Sequence, residues 1–212
     1  FLQDLNGDGK PEWICNSWVD KNPLVAWELT TVKEKVAPKD GKGEAKEVDR
    51  VTMQRHLISE VGQSHGCGFG DINNDGRQDI LTASGWFECP EGNPFEGPWK
   101  FHQDWKTRWS VPVLVRDLNK DGLNDIVIGN PHDYGLFVWW AEKPEADGKL
   151  KFREETIDKS YSQLHCVHFA DLDGDGRDEL ITGKRVRAHN GSDPGAAEPP
   201  IVCYYKIDEQ GK

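Results

Sequence analysis

A ten-residue pattern occurs four times in the chain and limits its fold more than any other feature. The copies are DLNGDGKPEW from Asp4, DINNDGRQDI from Asp71, DLNKDGLNDI from Asp117 and DLDGDGRDEL from Asp171. Each reads Asp, apolar, Asn or Asp, any residue, Asp, Gly, two variable residues, Asp or Glu, and a large apolar residue. Four chance recurrences at this length are negligible, so the fold is a repetition of what one unit can form. Oxygen atoms at positions 1, 3 and 5 can converge on one hard cation, and Gly at position 6 lets the chain turn around it. A backbone carbonyl at position 7 and a carboxylate at position 9 complete the shell. Calcium suits such a set, and up to four ions are expected.

The expected ligands of the first loop are Asp4, Asn6, Asp8, Lys10 and Glu12, and those of the second are Asp71, Asn73, Asp75, Arg77 and Asp79. Asp117, Asn119, Asp121, Leu123 and Asp125 follow in the third, and Asp171, Asp173, Asp175, Arg177 and Glu179 in the fourth. Lys10, Arg77, Leu123 and Arg177 act through their carbonyls. A helix-flanked EF-hand would place Glu at position 12, where this chain has Cys15, Thr82, Ile128 and Thr182.

The flanks of each loop are strand-like. Apolar runs such as residues 112–115 and 166–169 lead in, and 80–82, 126–128 and 180–182 lead out. Aromatic runs at 24–29, 136–140 and 201–205 come next, then amphipathic segments such as 51–58 and 150–157. Four strands per unit, with loop starts about 46 to 67 residues apart, predict an all-β chain of four-stranded antiparallel β-propeller blades. The expected blades are 1–62, 63–109, 110–162 and 163–212, with the charged stretch 36–49 a solvated insertion between strands.

The motif, with Phe69-Gly70 or Phe169-Ala170 ahead of it, resembles the FG-GAP or VCBS-type repeat of integrin-like propellers. That resemblance covers nearly the whole chain and implies about seven blades in the complete ring, so four blades imply part of a longer polypeptide, with four-bladed closure as the alternative. It also implies a calcium-stabilised binding module for a carbohydrate, another small molecule or a protein, in a secreted, periplasmic or extracellular setting where calcium is millimolar.

In such a blade the residues before the inner strand and after the second strand meet at one mouth, opposite the calcium loops. His65 and His165 hold the first position, with Val111 at the matching place; Trp18, Trp86, His132 and the pair Lys184-Arg185 hold the second. His189 lies in the long polar loop GKRVRAHNGSDPGAAEPP from Gly183. Imidazoles can exchange protons near neutral pH, and indole faces stack on sugars. This loop, with SHGCGFGD from Ser64 and SGWFECP from Ser84, is similar to the propeller domain of aldos-2-ulose dehydratase-like lyases, which act on 1,5-anhydrofructose. The similarity implies a second reading, in which His65 or His165 removes a proton beside a carbonyl and Lys184 and Arg185 steady the enolate. In that family cupin domains follow the propeller, and none lies within these 212 residues.

The net charge of −11 argues against duplex DNA or an anionic membrane surface as a partner. No apolar run reaches the roughly 20 residues of a spanning helix. An apolar content of 36% disfavours a large helical bundle. Cys15, Cys67, Cys89, Cys166 and Cys203 form no CxxC pair, which removes a zinc ribbon or thioredoxin-type site. GQSHG from Gly62 has the hydrolase spacing but leads into a strand rather than a helix. GCGFG from Gly66 is not a dinucleotide fingerprint, and Asn190-Gly191-Ser192 is a glycosylation sequon of low specificity.

Overall fold

The computed structural model describes residues 1–17, 19, 22–39, 41–62, 66–107, 113–144, 146–187 and 189–207. They form an all-β chain with almost no helix. Leu2–Gln3 (β1), Glu12–Cys15 (β2), Leu24–Val36 (β3) and Lys46–Ser59 (β4) pair in that order as an antiparallel sheet. Gly68–Gly70 (β5), Asp79–Thr82 (β6), Gly85–Glu88 (β7) and Lys100–His102 (β8) repeat the arrangement. So do Val113–Arg116 (β9), Asp125–Gly129 (β10), Tyr134–Glu142 (β11) and Lys151–Ser162 (β12). Leu164–Ala170 (β13), Glu179–Lys184 (β14) and Ile201–Tyr205 (β15) form a three-stranded sheet. Each ten-residue motif joins the first two strands of its unit.

The second and third units are continuous, because β5 pairs parallel to β9 through Phe69 and Leu114. Glycine allows this approach: a Cβ on Gly70 would lie 2.3 Å from Cβ of Val115, and one on Gly68 would lie 2.6 Å from Cβ of Val113. Three apolar clusters fill the spaces between units. One gathers Ile14, Leu24, Ile58, Ile80 and Phe87; another Ile72, Leu81, Trp86 and Ile126; and the last Val127, Leu136, Leu164 and Leu180.

The charged stretch 36–49 departs from the expected insertion. β3 and β4 pair continuously from Val25 and Leu57 to Val36 and Lys46, so residues 46–49 are strand and only 37–45 form the connection. Alternating Thr, Val and charged residues suit a two-sided ladder that water covers. No helix among the described residues is long and apolar enough to cross a membrane.

Candidate functional sites: acidic loops and a histidine cluster

The four acidic loops share one backbone design. Position 4 is left-handed in each, with φ of 74° at Gly7, 61° at Asn74, 61° at Lys120 and 77° at Gly174. Position 6 is left-handed as well, with φ of 84° to 87° at Gly9, Gly76, Gly122 and Gly176. These turns aim backbone N–H groups at the carboxylates. Asp71 accepts from the N–H of Asp75 at 2.8 Å and of Gly76 at 2.7 Å; Asp4, Asp117 and Asp171 accept from their own loops likewise. Position 5 accepts from the N–H of position 7 in all four, at Lys10, Arg77, Leu123 and Arg177. Asn6, Asn73, Asn119 and Asp173 accept from the N–H of Asp8, Asp75, Asp121 and Asp175.

Position 9 has a further role that sequence spacing does not reveal. Glu12, Asp79, Asp125 and Glu179 are buried and accept from the N–H of position 2, at Leu5, Ile72, Leu118 and Leu172. Asp79 and Asp125 use the other oxygen to accept from the N–H of Cys89, just after the third strand of its unit, and of Ala141, within the third strand of its unit. Burial pushes the Asp79 carboxyl up to about 7, against the backbone hydrogen bonds and helped by Asp75 and Asp71. Glu12 and Asp125 are raised for the same leading reason. A divalent cation would offset that cost. The donor set fits one: oxygens of Asp171, Asp173 and Glu179 lie within 4.8 Å of one another, and all are hard ligands.

Arg77 and Arg177 at position 7 turn their guanidinium groups onto Asp75 and Asp175. Leu123 offers no such partner. Neighbouring loops are also tied together, since Asn74 donates to the Gly122 carbonyl and Asn124 to the Asp71 carbonyl.

At the far end of the sheets a second group forms. His132 lies in the β10–β11 turn, His165 near the start of β13, Arg185 just after β14, and His189 and Asp193 in the following loop. Asp193 unites them. Its carboxylate meets Nδ1 of His132 at 3.2 Å and Nδ1 of His189 at 3.0 Å, while Arg185 Nη2 donates to it at 3.5 Å. The rings of His132 and His189 stack at 4.6 Å, and His165 meets His132 edge-on at 5.5 Å. His165 Nε2 donates to the Pro131 carbonyl at 3.0 Å, which assigns its tautomer. The hydrogen bond from His189, together with that from His132, holds the Asp193 carboxyl below its ordinary range despite burial. His189 and Asn190 are left-handed in succession, at φ of 40° and 57°, and swing the His189 ring back toward Asp193.

Two chemistries are open to this group. Neutral imidazoles that donate Nδ1–H to Asp193 present Nε2 as a lone-pair acceptor, the arrangement of an oriented base. Alternatively, one atom from each of His132, His189 and Asp193 lies within 4.8 Å of the others, a set able to hold a borderline divalent ion such as zinc. Ser162 Oγ, Gln163 Oε1 and Arg185 Nε are buried nearby in the chain without a hydrogen-bond partner among the described residues. Gln163 is joined to the Asp193 loop through the Pro194 carbonyl. Buried polar atoms of this kind mark a place for water or a ligand.

Of the residues expected at the mouth, His132, His165, Arg185 and His189 therefore come together. Trp86 and Lys184 do not. The β6–β7 turn is so short that Trp86 already belongs to β7; its indole is 3% exposed, stacks on His102 at 4.3 Å and donates to Asp104. Lys184 ends β14, is 4% exposed and donates to the carbonyls of Arg185 and Glu198. Neither presents a free surface to a ligand. His65, Trp18 and Val111 lie outside the described residues. Asp193, the residue that organises the cluster, belongs to the unusually polar run of Arg185, Arg187, His189, Asn190 and Asp193, in which the sequence gives it no role of its own.

Residues 117–182 match the family model of the FG-GAP-like repeat, about a third of the chain. No curated protein matches the chain significantly. That segment is thus similar to an FG-GAP-like repeat and lies within an all-β fold of largely antiparallel strands.

Proposed function

We propose that the protein is a calcium-stabilised β-propeller binding module that takes a carbohydrate or protein ligand at the histidine-lined end. The observation that carries this reading is the convergence of His132, His165, Arg185, His189 and Asp193 from three separate segments, opposite the acidic loops. Propeller architecture is supported by the repeated meander, the parallel β5–β9 contact and the exposed apolar face of the first sheet. On that face Trp13 is 51% and Leu29 62% exposed, a surface that a neighbouring blade would cover. Calcium is supported by the turn geometry that the four loops share and, in the fourth, by the convergent oxygens of Asp171, Asp173 and Glu179. Export to a calcium-rich, extracellular or periplasmic compartment follows from that reading.

A calorimetric titration of the chelator-treated chain with calcium tests it. Binding at about 0.1 to 1 mM, with a higher melting temperature, is expected for extracellular loops of this type. Asp121→Ala should weaken binding at one loop. No heat and no thermal shift would remove calcium from the account.

A catalytic reading is favoured by one observation, the Asp193-oriented imidazoles beside Arg185. Such a base can take the proton next to a carbonyl while a β-hydroxyl leaves as water, with Arg185 steadying the enolate. Incubation with 1,5-anhydrofructose should then yield an ultraviolet-absorbing enone, and the paired changes His132→Ala and His189→Ala should abolish it. Binding at this end without turnover supports the module alone.

A further inference from the structure

A cavity lined by residues of the second and third units lies away from the histidine cluster. Its volume is about 440 Å³, within the size range of ligand pockets. Trp139 on β11 and Phe152 on β12 share one face of the third sheet, because Trp139 pairs with Glu154 and Ala141 with Phe152. Trp105, in the segment after β8, closes the corner: it stands at 81° to Trp139 with centroids 6.2 Å apart, and at 83° to Phe152 at 5.7 Å. Both indole N–H groups are already committed, Trp105 to the Thr82 carbonyl and Trp139 to Glu154, each at 2.9 Å. What these rings offer a ligand is therefore their carbon faces.

The polar lining selects among ligands. Among the lining residues Asp104 and Glu154 match Lys149 and Lys151 in number; the lysines pair with Asp147 and Glu142 beside the cavity, and the two acids accept the indole N–H groups of Trp86 and Trp139. An aromatic corner with uncompensated acids would favour an organic cation. Aromatic faces with paired charges of both signs suit a neutral polyhydroxylated molecule, whose C–H faces stack while its hydroxyls find donors and acceptors at the rim. A second hollow of about 270 Å³ continues past Trp139 and Glu154, bounded on that side by Lys106, Thr107 and Phe137. Trp139 thus forms a wall common to both hollows, a layout for a chain of sugar rings rather than a single ring.

From this geometry we infer that the cleft between the second and third units, at Trp105, Trp139 and Phe152, is a binding groove for a neutral oligosaccharide. It rests on the carbohydrate option of the proposed function, but not on the histidine cluster. The test is calorimetry and tryptophan fluorescence on the full chain with cellotriose, maltotriose and chitotriose, and with choline as a cationic probe. At least one trisaccharide should bind in the micromolar-to-millimolar range. Trp139→Ala should weaken it tenfold or more, and Trp139→Phe, which preserves aromatic packing, should weaken it less. Glu154→Gln, at an exposed rim position, supplies a variant that leaves the packed rings in place and should also lower affinity. Absence of binding by every trisaccharide at 10 mM, choline binding in their place, or affinity indifferent to both Trp139→Ala and Glu154→Gln would each overturn the inference. Loss of sugar binding in Asp193→Asn alone would also overturn it, by moving the sugar to the histidine-lined end.

Discussion

Replacing Asp79 by Ala probes the buried end of an acidic loop independently of any metal. Asp79 is fully buried and holds two N–H groups in place, Ile72 at 3.0 Å through one oxygen and Cys89 at 2.9 Å through the other, both hydrogen bonds being buried. Alanine leaves two donors without a partner, and each such donor costs about 1 to 3 kcal/mol. Relief of the carboxylate's own burial, visible in its raised pKa, returns part of this. The net loss is about 2 to 4 kcal/mol, or roughly 4 to 16 °C in melting temperature for a chain of this size. Thermal melts of Asp79→Ala and Asp121→Ala in chelator make the comparison, since Asp121 is exposed and anchors only its own loop. Asp121→Ala should cost less than about 1 kcal/mol there. Equal and small losses in the two variants would refute the anchoring role of position 9.

Gly70→Ala should destabilise by about 1 to 3 kcal/mol, read by urea unfolding, because the added methyl meets Val115 across the β5–β9 contact. Lys120→Asn should raise the melting temperature by a few degrees, since position 120 is left-handed at φ 61° and Asn tolerates that region better than Lys. At Asp158, burial raises the carboxyl, but the Tyr205 hydroxyl at 2.6 Å and Ser160 lower it further, to a net value below the ordinary range. Its folded-state pKa is thus below the unfolded one, so the contact stabilises above about pH 4 and is lost as pH falls through the folded value. Melts from pH 6 to pH 3 should show a shallower acid decline in Asp158→Asn than in the parent chain.

The acidic loops and the strands around them were legible in the sequence because both are local. A left-handed turn needs Gly or Asn at set positions, and alternation or aromatic runs mark strands whatever lies beyond them. The charged 36–49 stretch misled because its composition suits water, and a long hairpin satisfies water on both faces as well as a loop does. What sequence could not supply was the company each side chain keeps. His132 and Asp193 lie 61 residues apart and meet only because the loop after β14 folds back over the β10–β11 turn. Trp86 and Lys184 stood at equivalent places in the repeat, yet turn length sent one into the core and backbone carbonyls claimed the other. The cleft at Trp139 likewise arises where the segment after β8 meets β11 and β12, a property of packing rather than of any single segment. The chain's local chemistry determined its repeating unit, and the tertiary structure decided which residues face one another.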